Sequence, residues 1–243
     1  MKDYKLIILP GWGGSHETWS EFIELSKNEL ETVCIDLPCF GDQPCPDEVW
    51  GVEEYAEFVK DRIREIKKKN DSKKIIVLGH SFGGQVAAYL CSKNGSICDF
   101  LVLSGPAVFR QKSSLRNYIF YAFAKFGKLF FRLPLMEKFE TTIKKIFYRL
   151  IKSPDYNDAV GVKREIFKKI IRQDLSGEIS KIKNPTLVIW GEKDKYVPVK
   201  YAAKLDNLLR NSELEIIKDG KHGLHIQQPE ALMKFIINFV NKQ

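Results

Sequence analysis

With 243 residues, 44% of them hydrophobic and 29% charged, the chain is long enough for one well-buried α/β domain with an insertion, and short for two independent domains. No uninterrupted apolar segment approaches the roughly 20 residues that cross a bilayer, which speaks against a membrane-spanning protein. The net charge of +8 is unevenly placed: residues 106–175 hold 16 Lys and Arg against 6 Asp and Glu, so the basicity belongs to one segment.

The first predicted strand is Leu6 to Leu9, and the apolar run around it is too short for the core of a secretory signal. It leads into the glycine turn Pro10-Gly11-Trp12-Gly13-Gly14-Ser15. A helix over Glu17 to Leu30 and a strand over Val33 to Leu37 follow. The next helix, Val52 to Lys69, sets Val52, Tyr55, Ala56, Val59, Ile63 and Ile66 on one face. Lys74 to Leu78 reads as a strand, Gly84 to Lys93 as a helix, and Phe100 to Leu103 as a further strand. From Ser104 to Pro185 no strand is evident, and an aromatic, basic, all-helical insertion is expected. Strands over Thr186 to Trp190 and Leu214 to Ile217 then alternate with helices over Val199 to Leu209 and Pro229 to Val240.

Nearly all these strands are continuous apolar runs, as parallel strands covered on both faces are. The alternation predicts an α/β fold with a mostly parallel sheet and helices on both faces. The core is expected at 1–105 and 176–243, with the insertion at 106–175 lying over the carboxyl ends of the strands, where open α/β sheets bind ligands. Five cysteines, Cys34, Cys39, Cys45, Cys91 and Cys98, form an odd set without a Cys-x-x-Cys pair, which predicts reduced thiols and a cytoplasmic location.

Gly79-His80-Ser81-Phe82-Gly83 falls between a strand and a helix, the setting in which a serine hydroxyl is held clear of a sheet on a tight elbow. A hydroxyl needs a base, and the base needs an orienting acid. His222 lies in the flexible Lys218-Asp219-Gly220-Lys221-His222-Gly223 loop before the last helix and is the expected base. Asp194 is the expected acid, with Glu192 as the alternative after the same strand. His80 is expected to point elsewhere, His16 lies in an early loop, and Asp36 is expected to support a turn. The oxyanion donors are expected to be the backbone amides of Phe82, next after the nucleophile, and Trp12. His225 stands three residues from His222, but no His-Glu-x-x-His is present, and no metal or cofactor is predicted. A dinucleotide fingerprint fails at His16, where its third glycine would stand, and no Gly-Lys-Ser or Gly-Lys-Thr marks a phosphate loop.

These motifs, with Asp36-Leu37-Pro38-Cys39-Phe40-Gly41, Gly191-Glu192-Lys193-Asp194-Lys195-Tyr196-Val197-Pro198 and Gln228-Pro229-Glu230, occur in an order that resembles the α/β-hydrolase superfamily from Leu6 to Phe239, outside the insertion. The likeness is to its serine esterases and carbon-carbon-bond hydrolases. The chain departs from the pattern at Pro10, where the family usually has histidine, and at Cys39, where it has glycine. The resemblance implies a helical cap formed by 106–175 and a catalytic set of Ser81, Asp194 and His222. Serine at the elbow separates the chain from the dehalogenases and epoxide hydrolases of this fold, which use aspartate there.

The expected activity is hydrolysis of a carboxylic ester or thioester through an acyl-enzyme, with an apolar acyl or aromatic moiety against Trp12, Phe82, Phe120 and Phe123. The alternatives are carbon-carbon bond hydrolysis of a diketone-like acid, or a slow-turnover ligand receptor. Lys125, Lys128 and Arg132 make one face of a cap helix basic, which suits an acidic carrier protein or an anionic membrane surface; no nucleic acid is expected.

Overall fold

The computed structural model describes residues 3–69, 73–110 and 160–243. Among these residues six strands form one sheet: β1 (Tyr4–Leu9), β2 (Glu31–Cys34), β3 (Lys74–His80), β4 (Phe100–Ser104), β5 (Thr186–Gly191) and β6 (Ser212–Ile217). Their order is β2-β1-β3-β4-β5-β6, and every neighbouring pair is parallel. The chain first moves outward from β1 to β2, then crosses back to β3 and continues the other way. The reversal leaves a crevice beyond the carboxyl ends of β1 and β3.

Continuous apolar strands feed two cores because successive side chains point to opposite faces. Ile7, Leu9, Val77, Leu101, Leu103, Val188 and Trp190 pack on one face with helices α2 (Val52–Lys69) and α3 (Phe82–Lys93). Leu6, Ile8, Ile76, Leu78, Val102, Leu187 and Ile189 pack on the other, with α1 (Ser20–Ser26) and the last helix, Pro229–Asn241. Each such fully buried side chain contributes about 1.5–3 kcal/mol of transfer free energy. Between β4 and the end of the chain the described helices are α4 (Gly161–Ile170), α5 (Ser176–Ile179), α6 (Lys200–Leu208), α7 (Leu224–Gln227) and α8 (Pro229–Asn241).

The chain divides into two compact units, Met1–Arg110 with Gly161–Gln243, and Gln111–Val160. In the first, α4 buries Ile166 and Ile170, and Gln85 Nε2 donates to the Ile170 carbonyl at 3.2 Å. Phe120, Phe123, Lys125, Lys128 and Arg132 lie outside the described residues. No helix among the described residues is long and apolar enough to cross a membrane.

Three local expectations are corrected. The Glu17 to Leu30 helix is a 3₁₀ turn, His16–Trp19, followed by the shorter α1. It stops at Ser26, whose hydroxyl bonds back to the Ile23 carbonyl at 2.7 Å and across to Thr32 Oγ1 at 2.6 Å. The second strand sits two to three residues earlier than expected: its pairing with β1 runs from Glu31 to Cys34, the Ile35 amide makes the last bond to the Ile8 carbonyl at 3.0 Å, and Ile35 and Leu37 turn into the core. Finally, Cys39 and Cys45 form a disulfide, against the expectation of reduced thiols; Cys34, Cys91 and Cys98 are free. The loop doubles back through Cys39, whose φ of 77° lies in the left-handed region that favours glycine, and the Cys39 amide donates to the Pro44 carbonyl.

Candidate active site

Ser81 stands between β3 and α3 with φ 51° and ψ −112°, a conformation that is costly for a residue with a Cβ and persists only when its surroundings fix it. They do so through hydrogen bonds: the Ser81 amide donates to the Ser104 carbonyl at 3.1 Å, and its own carbonyl accepts from Gln85 and Ala107 at 3.0 Å each. The first turn of α3 presses on the end of β1 so closely that a Cβ on Gly83 would lie 2.0 Å from the Leu9 carbonyl oxygen. Ser81 itself is half-buried.

β1 and β3 end level, with Leu9 paired to Gly79. The turn after β1 therefore meets the elbow: an ideal Cβ on Gly11 would be 3.2 Å from Ser81 Cβ. Trp12 follows in a turn closed by the Gly14 amide on the Gly11 carbonyl at 3.0 Å. Phe82 is the first residue of α3, so its N–H has no intrahelical acceptor. The Trp12 ring packs against Phe82 at 5.7 Å and against Phe40 and Phe167 at 4.9 Å each. Lys163 Nζ lies 4.5 Å from the Phe40 ring centre and donates to the Cys39 carbonyl at 3.1 Å.

On the far side, β5 and β6 also end level, with Gly191 opposite Ile217. Their loops are tied by Glu192 N–H to the Ile217 carbonyl and Lys193 N–H to the Gly220 carbonyl. This brings His222 to Asp194: Nδ1 and Oδ2 are 2.7 Å apart. Asp194 Oδ1 accepts from the Tyr196 and Val197 amides at 2.8 and 2.9 Å, and the Trp190 indole N–H pins the Val197 carbonyl at 2.8 Å. An ionised carboxylate can only accept, so His222 Nδ1 carries the proton of this bond and Nε2 is the basic nitrogen. Glu192, the alternative acid, instead accepts from the Asp219 amide at 3.0 Å.

Two side features were not legible beforehand. Gly105, just after β4 with φ 50°, lies behind the pair; a Cβ there would be 3.2 Å from Asp194 Oδ2 and 3.4 Å from His222 Nδ1. The Tyr196 ring stacks beside His222 at 5.3 Å. The remaining histidines have other work. His80 donates Nδ1–H to the Ser104 carbonyl at 3.0 Å, its ring lies 4.6 Å from that of His222, and burial holds its proton affinity well below the usual range. His225 stacks on buried Trp19 at 3.9 Å, and burial, with His222 nearby, pushes its pKa down to about 4. The Asp36 carboxylate accepts from the His16 amide at 2.6 Å and pairs with its ring, which raises the pKa of His16. Among the described residues, no group of three His, Cys, Asp or Glu side chains could hold a metal ion.

Comparison with known proteins adds sequence kinship to this geometry. The family model of the alpha/beta hydrolase fold matches residues 4–229. The pimeloyl-[acyl-carrier protein] methyl ester esterase of Wigglesworthia glossinidia brevipalpis is 29% identical over 260 residues, covering 98% of this chain and 93% of the relative. Monoacylglycerol lipase ABHD6 of Homo sapiens is 22% identical, covering 97% of this chain and 74% of the relative. Among solved structures, a serine hydrolase involved in carbazole degradation superposes with a TM-score of 0.73 at 20% identity, covering all of this chain and 92% of that one, a likeness of fold.

Proposed function

Since the chain belongs to the alpha/beta hydrolase fold family, we propose that it is a serine hydrolase that cleaves a carboxylic ester or thioester with an apolar acyl or aromatic moiety through an acyl-enzyme. The observation that carries the reading is the Asp194–His222 hydrogen bond, fixed by two amides on the other carboxylate oxygen, in a chain where the serine following the central β3 is held at positive φ.

In this reading Ser81 Oγ attacks the carbonyl carbon while His222 Nε2 takes its proton. The carbonyl oxygen becomes an oxyanion between the Phe82 and Trp12 amides, each such donor being worth about 2.7–4 kcal/mol in the transition state. His222 then gives the proton to the departing alcohol or thiol, leaving the acyl group on Ser81. A water enters, His222 takes its proton, and collapse of the second tetrahedral intermediate releases the acid and restores Ser81. Asp194 keeps the Nδ1–H tautomer and stabilises the imidazolium in both halves. Trp12, with Phe40, Phe82 and Phe167 around it, forms an apolar wall for the acyl or aromatic moiety.

The esterase relatives favour ester substrates, and the methyl ester esterase is named for a substrate on an acyl carrier protein. The basic 106–175 stretch is therefore assigned, as part of the proposal, to a cap that meets an acidic carrier or an anionic membrane surface. A panel of p-nitrophenyl esters and acyl thioesters graded by chain length tests the chemistry. Turnover lost in Ser81→Ala, together with labelling of Ser81 by a fluorophosphonate, is the expected result. An intact protein that neither turns over any member nor takes the label defeats the proposal in favour of a receptor.

A further inference from the structure

Tyr196 touches both members of the acid–base pair. Its main-chain N–H donates to Asp194 Oδ1 at 2.8 Å, and its ring lies 5.3 Å from the His222 ring with the planes 26° apart. Yet the residue is 61% exposed, so the ring is not placed there to fill a core. Among the described residues, His80, locked on the Ser104 carbonyl, and the backbone of Gly105 lie against His222 from the interior. Among the described residues Tyr196 is its exposed neighbour.

We infer that Tyr196 is a positioning residue for this reaction: its ring covers His222 and holds the imidazole in the orientation that Asp194 requires. The inference rests on the roles assigned above to Ser81, Asp194 and His222. Two physical effects give the ring its value. Water competes for a hydrogen bond between a charged donor and a carboxylate, and an apolar plate over one face of the imidazole reduces that competition. A cation within about 6 Å of an aromatic face is also attracted to it, so the contact strengthens when His222 carries a second proton. Both effects grow in the transition state, which places the loss in kcat rather than KM.

The test compares Tyr196→Ala with Tyr196→Phe on a small p-nitrophenyl ester. Tyr196→Ala is expected to lower kcat about tenfold with KM within about twofold, the scale of a modest misplacement, whereas Tyr196→Phe keeps kcat within about twofold of the parent. An unchanged kcat in Tyr196→Ala overturns the inference, as does a Tyr196→Phe that falls as far as Tyr196→Ala. A second measurement needs no turnover: the downfield proton NMR signal of the His222–Asp194 bond should be sharp in the parent and in Tyr196→Phe and broadened by exchange with water in Tyr196→Ala. A signal missing from the parent, or equally sharp in Tyr196→Ala, overturns it. If no ester is hydrolysed, the proposed activity fails, and the NMR arm still decides what Tyr196 does.

Discussion

On the nucleophile side of the site the backbone is held by hard contact: a Cβ on Gly83 would enter the Leu9 carbonyl, and the turn carrying Gly11 lies against Ser81. On the acid–base side the loop ends are pressed together as well, since a Cβ on Gly191 would lie 2.4 Å from the Lys221 carbonyl oxygen, but the working side chains there have partners of their own. The Asp194 and His222 side chains are held by three hydrogen bonds and by rings, with the Trp190 indole bonded to the Val197 carbonyl behind the loop and Tyr196 in front. The difference teaches that close backbone contact frames both halves of the site, and that hydrogen-bonded side chains then aim the acid–base pair. Damage to the first should therefore appear as lost folding, and damage to the second as lost chemistry.

The sharpest test of the second half is Asp194→Asn. The amide oxygen can still accept from Tyr196 and Val197, but its NH₂ would face His222 Nδ1 and drive the proton to Nε2. Kinetics should show a roughly ten-thousandfold fall in kcat with the melting temperature nearly retained. Gly83→Ala makes the reverse test, since the Cβ can be accommodated only if backbone moves. A loss above about 4 kcal/mol in denaturant unfolding is expected, or no folded protein at all. A well-folded Gly83→Ala, or an Asp194→Asn that unfolds as readily, would break the comparison.

A smaller effect concerns the rings behind His222. Because His225 has a folded pKa of about 4 against 6.5 when exposed, the unfolded chain binds the proton more readily. The stabilisation from keeping His225 neutral is therefore complete above pH 6.5 and is lost as pH falls toward 4, on the order of 3 kcal/mol in all. Unfolding measured across that range should be less steeply pH-dependent in His225→Phe, which can keep the stack on Trp19; an unaltered slope would remove burial of His225 from the account. Smallest of all, Glu192→Gln should cost under about 1 kcal/mol and leave kcat unchanged, because an exposed carboxylate bonded to one amide is worth little. A large loss of kcat there would return Glu192 to the acid's place.

Most of the fold was legible in the sequence because it rests on short-range physics. Apolar runs, nearly all continuous, marked the six described strands, with β2 displaced by two to three residues, and the face of Val52 to Lys69 marked α2 to the residue. The elbow was legible for the reason just given: close backbone contact demands glycine, and glycine at fixed spacing is visible. Asp194 was the expected acid with Glu192 as the alternative, since both follow β5; it is the level ends of β5 and β6 that bring Asp194 to His222. Phe40, Phe167, Gly105 and Tyr196 reach the site through contacts between distant segments, which no local pattern records. The Cys39–Cys45 bridge was missed because its spacing matches no motif and depends on the left-handed turn at Cys39.

Every group assigned to the chemistry sits within five residues of the end of a strand: Trp12 after Leu9, Ser81 after His80, Asp194 after Gly191 and His222 after Ile217. The sheet thus works as a ruler whose graduations are the ladder pairs. One graduation is about 3.3 Å, whereas a catalytic constellation tolerates roughly 0.5 Å, so a single-residue slip of β5 against β4 would part acid from nucleophile by several times that tolerance. The same slip would turn Val188 and Trp190 out of one core and into the other. The penalty that keeps apolar side chains on their proper faces is therefore also what calibrates the distance between Ser81 and His222, the base proposed for it.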